Sequence, residues 1–221
     1  MAELYEDCPE NRHRRKPQRT NRQLFLGMNL SEGGLYHVFN RGNNREVIFR
    51  RQSNYHHFLD GVRRYLLDYC DLFAWCLMPN HFHFMVHAND QSVPLILDGS
   101  FNRQQFSQGI KQLLSSYAKA INRQEGRTGS LFQQKSKSVY VSDPENDYAM
   151  TAFHYIHQNP VRAGLVDRME DWEFSSFREY MGTAKACLCN RELAVSLLDL
   201  DLDRFHEDSY AVQELSYTCL V

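Results

Sequence analysis

Two short stretches of this chain hold residue types that can do chemistry at spacings that would bring them together. His81-Phe82-His83 sits in a run that reads as a strand. Residues two apart on a strand project from the same face, so the two imidazoles stand side by side. Two neutral imidazoles make half of a metal site. His87 shares that face but lies roughly 13 Å further along at the usual strand rise, so it is assigned a surface or packing role. Tyr155 and Asn159 are four apart in a run that reads as a helix, hence one turn apart on one face. An asparagine amide oxygen is a hard ligand suited to magnesium or manganese. A tyrosine hydroxyl beside it can attack a phosphate polarised by the same metal. Each residue also has a plainer reading. Histidines alternate on strands without binding metal, tyrosine is a common half-buried helix residue, and Asn before Pro is an ordinary helix stop. Residue type alone leaves both readings open.

The elements that must position these groups follow from apolar period and turn chemistry. Leu35 to Asn40 reads as a strand entered from Gly33-Gly34, and Arg41-Gly42-Asn43-Asn44-Arg45 as a polar turn. Ser53 or Asn54 caps a helix on which Phe58, Val62 and Leu66 recur at helical spacing. Leu72–Met78 reads as a central strand, Pro79-Asn80 as a turn, and Phe82–His87 as a strand half-buried on one face. Residues 89–103 read as a connecting loop. A long helix is expected from about Arg103 to Arg123, ended by Gly126, and a further strand from Lys135 to Val141. A third helix is expected to start near Asp143-Pro144-Glu145 and to stop at Pro160. A last helix is expected near Arg191–Leu200. The order strand, helix, strand, strand, helix, strand predicts an α+β, ferredoxin-like βαββαβ fold, one antiparallel sheet with helices on one face, followed by the helix that carries Tyr155.

Composition narrows the class. The chain has 221 residues and a formal net charge of −2, but its charges are segregated. Arg12 to Arg22 reads RHRRKPQRTNR with no acid, and Arg103 to Lys137 holds seven Lys or Arg against Glu125 alone. The acids Asp199, Asp201, Asp203, Glu207, Asp208 and Glu214 gather in the tail. Three regions follow: a basic arm over 1–30, a central domain over 31–182 and an acidic tail over 183–221. The six cysteines form no C-x-x-C pair and fit reduced thiols in a cytoplasm. No apolar run approaches a membrane span, and Met1–Glu10 lacks a signal-peptide core, so a cytoplasmic protein is expected.

The motifs in order are Tyr36-His37-Val38, Arg41-Gly42-Asn43, Met78-Pro79-Asn80-His81-Phe82-His83 and Tyr155-Ile156-His157-Gln158-Asn159-Pro160-Val161-Arg162-Ala163-Gly164. Together they resemble the single-tyrosine HUH transposases, and more narrowly the REP-associated tyrosine transposases and their IS200-like relatives. The resemblance runs from about residue 33 to 180, ending in Trp172–Tyr180 with Ser175-Ser176. The arm and the tail match nothing in it. It implies a divalent metal, Mg2+ or Mn2+, held by His81, His83 and Asn159, with Tyr155 as nucleophile. It further implies a 5′-phosphotyrosine intermediate with a free 3′ hydroxyl that can later rejoin strands without ATP. The expected substrate is single-stranded DNA or a hairpin with single-stranded flanks. Arg41, Asn43, Arg45, Lys111, Lys119, Arg123, Arg127, Lys135 and Lys137 are candidate DNA contacts, and Tyr36, Phe39 and Tyr140 candidate base-stacking groups. Relatives of this kind work either as homodimers with the tyrosine helix in trans or as monomers, and both stay open. Competing readings are a hairpin-binding protein without cleavage, a metal-dependent hydrolase of small substrates, and a replication initiator or relaxase. The absence of a P-loop pattern weighs against the last.

Overall fold

The computed structural model describes residues 27–142 and 148–211. The basic arm at Arg12–Arg22, the expected helix start at Asp143-Pro144 and the end of the tail lie outside the described residues. Four strands form one antiparallel sheet: β1 (Leu35–Arg41), β2 (Asp71–Met78), β3 (His81–His87) and β6 (Lys137–Tyr140), in the spatial order β2-β3-β1-β6. Helices α1 (Gln52–Tyr65) and α2 (Gln105–Gln124) connect them in the expected element order. The 89–103 stretch is not a plain loop. It carries a two-stranded hairpin, β4 (Leu95–Asp98) with β5 (Phe101–Gln104), turning at Gly99 with φ +65°.

Strand alternation divides the core in two. Tyr36, Val38, Phe82, Phe84, Trp75 and Leu77 face α1 and α2, packing on Phe58, Val62, Ile110, Leu113 and Tyr117. The opposite face holds Leu35, Ala74, Cys76, Met78 and Met85 against helix α3 (Tyr148–Arg162). A register shift between Leu72 and Ala74 turns Phe73 onto that face too. After α3 come α4 (Phe177–Tyr180), α5 (Arg191–Leu198) and α6 (Phe205–Ala211). Leu198 and Phe205 are buried in the α3-side cluster, so residues 191–211 belong to the packed body despite their acidic surface.

Helix α3 does not stop at Pro160; it continues to Arg162 with Pro160 inside it. Proline removes one N–H from the helix ladder, which leaves the carbonyl of Ile156 short of its usual donor. The Asn159 side chain compensates: its Nδ2 donates to the carbonyls of Tyr155 (2.8 Å) and Ile156 (3.4 Å). Asn54 also acts differently from a simple N-cap residue. It sits inside the first turn of α1, where its Oδ1 accepts the backbone N–H groups of Arg50 and Arg51.

Candidate active site

His81 and His83 stand on the α3 side of β3, with ring centroids 4.9 Å apart. His83 is buried; its Nδ1 lies 2.8 Å from His37 Nε2, and its Nε2 is buried with no hydrogen-bond partner. The Nδ1 of His81 meets Asn80 Oδ1 at 2.6 Å, so this N–H donates and the lone pair falls on Nε2. The Asn80 turn is fixed in turn by the Arg-Gly-Asn segment: Gly42 N–H donates to the Asn80 carbonyl and Asn80 Nδ2 to that of Arg45. Gly42 is required by close approach, since a Cβ there would lie 2.2 Å from the Glu46 carbonyl oxygen. Burial, aided by the Arg41 charge, lowers His81 to a pKa of about 4. Burial, with His37 and His81 beside it, drives His83 well below the ordinary histidine value. Both rings are therefore neutral near pH 7, the form that can ligate a metal.

Tyr155 comes to the same place from α3. Its ring lies 5.9 Å from His83 and 6.2 Å from His37, edge-on to both, and the Arg162 guanidinium sits 5.5 Å over it. Burial raises its pKa, and Arg162 works against that shift. Asn159 is buried one turn on, and its Nδ2 is committed to the backbone. The amide oxygen, the atom a cation would take, is left out of those bonds. Among the described residues no three His, Cys, Asp or Glu side chains gather as a metal site. The groups that could hold a cation are two imidazoles and one amide, and a partnerless buried Nε2 on His83 suits a cation better than an apolar neighbour, because an unpaired buried polar atom is costly.

The expected nucleic-acid contacts fall into three places. Arg41, Lys135 and Lys137 line a cleft with His81, His83 and Phe39. Arg41 Nε is buried there without a partner, and Lys137 lies 5.5 Å over the Phe39 ring. Asn43, Arg45 and Arg127 cluster at the neighbouring turn, where Asn43 Nδ2 donates to the Ser130 carbonyl and Arg127 pairs with Glu46 at 3.0 Å. Lys111, Lys119 and Arg123 line a groove between α1 and α2, across the helix layer from the histidines, with Lys111 paired to Asp98. The structure does not bring these three to the site. Of the aromatic candidates, Tyr36 is in the helix-side core with its hydroxyl accepting Ser31 N–H, whereas Tyr140 is exposed. His87 stacks on Phe73 and meets Asp71 at 3.1 Å, a packing role as expected.

No protein-family model matches the chain. A putative REP-associated tyrosine transposase of Haemophilus influenzae is 25% identical over 134 residues, covering 53% of this chain and 74% of that protein. The solved structure of a REP-associated tyrosine transposase bound to a REP hairpin superposes with a TM-score of 0.52 at 21% identity, covering 71% of this chain and 84% of that one. In sequence and fold the chain is similar to the REP-associated tyrosine transposases. The chain holds two residues near its histidines to which sequence reasoning gave no role in the site. Asn80 had a usable signal, an amide directly before the H-x-H pair. His37 lay inside the Tyr-His-Val motif, but only strand pairing puts it beside His83. Among the described residues, no helix is long and apolar enough to cross a membrane.

Proposed function

We propose that this chain cuts and rejoins single-stranded DNA at hairpin-bearing sites through a covalent link to Tyr155. The observation that carries the proposal is the meeting, within one chain, of the Tyr155 ring with the His81/His83 face, with Asn159 one turn on. The relative solved with a REP hairpin supports the choice of substrate. A divalent cation, Mg2+ or Mn2+, held by His81, His83 and Asn159 would neutralise charge on the scissile phosphate. The protein supplies the rest. Arg41, Lys135 and Lys137 offer positive charge along the cleft for the phosphate backbone. Phe39, buried beneath Lys137, forms an apolar part of the cleft wall. The Tyr155 phenol gives up its proton as its oxygen attacks phosphorus, the bond to the 3′ oxygen breaks, and that oxygen takes up a proton from water and leaves as a hydroxyl. Burial keeps the phenol protonated before attack, and the Arg162 charge favours the phenolate that forms as the proton leaves. The 3′ hydroxyl can reverse the step, so bond energy is kept in the phosphotyrosine.

Labelled hairpin oligonucleotides with single-stranded flanks test this directly. Incubation with Mg2+ or Mn2+ should give a protein–DNA adduct that survives denaturing electrophoresis. EDTA should abolish it, and Tyr155→Phe should lack it while still shifting the hairpin on a native gel. Hairpin binding by the wild type with no adduct under any metal would replace this reading with that of a hairpin-binding protein.

A further inference from the structure

His37 on β1 is fully buried, and its Nε2 lies 2.8 Å from Nδ1 of His83, with the rings stacked at 5.0 Å. Two neutral imidazoles carry two N–H groups over four nitrogens. One N–H fills the bond between the rings. The other must sit on an outer nitrogen, either His37 Nδ1 or His83 Nε2. Both outer nitrogens are buried without partners, so no protein group decides between the two arrangements. They differ in consequence. With the outer proton on His83 Nε2, that atom has no lone pair to give. With it on His37 Nδ1, His83 donates through Nδ1 and its Nε2 is bare.

We propose that His37 is a positioning residue that accepts the His83 Nδ1 proton and keeps the spare proton on its own far side, so that His83 presents a bare Nε2 to a divalent cation. The inference rests on the metal site proposed above. Asn80 does the equivalent for His81 from an amide that can only accept through Oδ1. The pairing on His83 is different because its partner is itself an imidazole, and the two rings exchange roles without any change in net charge. Cation binding at His83 Nε2 selects one arrangement, as outer partners of metal-bound histidines generally do.

The test uses the full chain, free of DNA, titrated with Mn2+ and followed by the electron paramagnetic resonance signal of the free ion. His37→Leu removes the acceptor, and His37→Gln puts a carbonyl oxygen at about the reach of Nε2. Wild-type protein should bind Mn2+. The Leu variant should bind it about 10- to 100-fold more weakly, in line with losses seen for such outer partners, and the Gln variant should recover most of that loss. Thermal melting in EDTA separates packing from positioning, since the two variants should melt closer to each other than they bind. Wild-type affinity in the Leu variant would overturn the inference. Equal weakening in both variants, with matching falls in melting temperature, would overturn it too, because packing would explain the loss. A wild type that binds no Mn2+ would remove the metal site itself, and the inference with it.

Discussion

At the scale of single residues, the proposed function gives Asn159 two jobs, one for each end of its amide. Its nitrogen replaces the donor that Pro160 takes from the helix, and this fixes the oxygen on the other side. The two jobs can be separated. Asn159→Leu should abolish adduct formation and lower stability by about 1–3 kcal/mol, because it leaves the Ile156 carbonyl unpaired. Asn159→Gln keeps an amide oxygen within reach and should retain more adduct than the Leu variant at equal metal. Denaturing gels read the first quantity and urea melts the second. Leu and Gln variants with equal adduct yields would remove Asn159 from the site. That His81 and His83, and Tyr155 and Asn159, each share a face could be read from spacing, because periods of two and of about four fix faces; their joint role came only from the family resemblance. His37 could not, because its neighbour across the sheet is 46 positions away in sequence and only strand register brings them together.

At the scale of elements, the tyrosine helix is held by buried neutral histidines. His157 Nε2 meets Ser176 Oγ at 2.7 Å, and that oxygen accepts the Trp75 N–H of β2 at 2.9 Å. His154 Nδ1 meets Ser209 Oγ of α6 at 2.9 Å. Burial lowers His157 to about 3 and His154 to about 4, the nearby Asp208 opposing the shift only on His154. Below the ordinary histidine value of about 6.5 the unfolded chain takes up protons that these folded sites refuse. Stability is therefore complete above that pH and falls as pH drops towards the folded values, by about 1.4 kcal/mol per pH unit for each histidine. The melting temperature of metal-free protein should fall between pH 6.5 and 4.5, and His157→Gln should flatten the slope. An unchanged slope would mean that His157 is not held neutral. Ser176→Ala at neutral pH should cost about 1–3 kcal/mol by leaving His157 Nε2 unpaired. The same scale shows what sequence reasoning missed. The hairpin β4–β5 leaves Leu95 and Leu97 exposed, so it has no buried face to impose an alternating pattern, although Asp98-Gly99 signalled its turn. Helix α6 was hidden by the acidic tail, since only Phe205 and Ser209 of it are buried. The Pro160 stop failed because a side chain supplied what the local rule assumes to be lost.

At the scale of the whole molecule, the arrangement of α3 decides how many copies make one site. The apolar side chains Ala152, Phe153 and Ile156 of α3 are buried against β2 and β3 of the same chain. The segment that follows returns to the sheet edge, where Leu77 N–H donates to the Phe174 carbonyl and Ser176 N–H to that of Trp75, both at 2.9 Å. The helix is thus tied to its own sheet through its packed face and through the chain that leaves it. Exchanging it with a second copy would require opening this core before the same contacts could form again on the partner, a barrier that favours the unexchanged arrangement. On the proposed function, the expectation is that Tyr155 serves the histidines of its own chain. The measurement is a mixing experiment: Tyr155→Phe protein combined with protein carrying His81→Ala and His83→Ala. Each lacks one half of the site, and with the site built in one copy the mixture should form no adduct, even after co-refolding. Adduct appearing in the mixture, on the chain that retains Tyr155, would show the helix working on a partner's histidines and would make the functional unit a dimer.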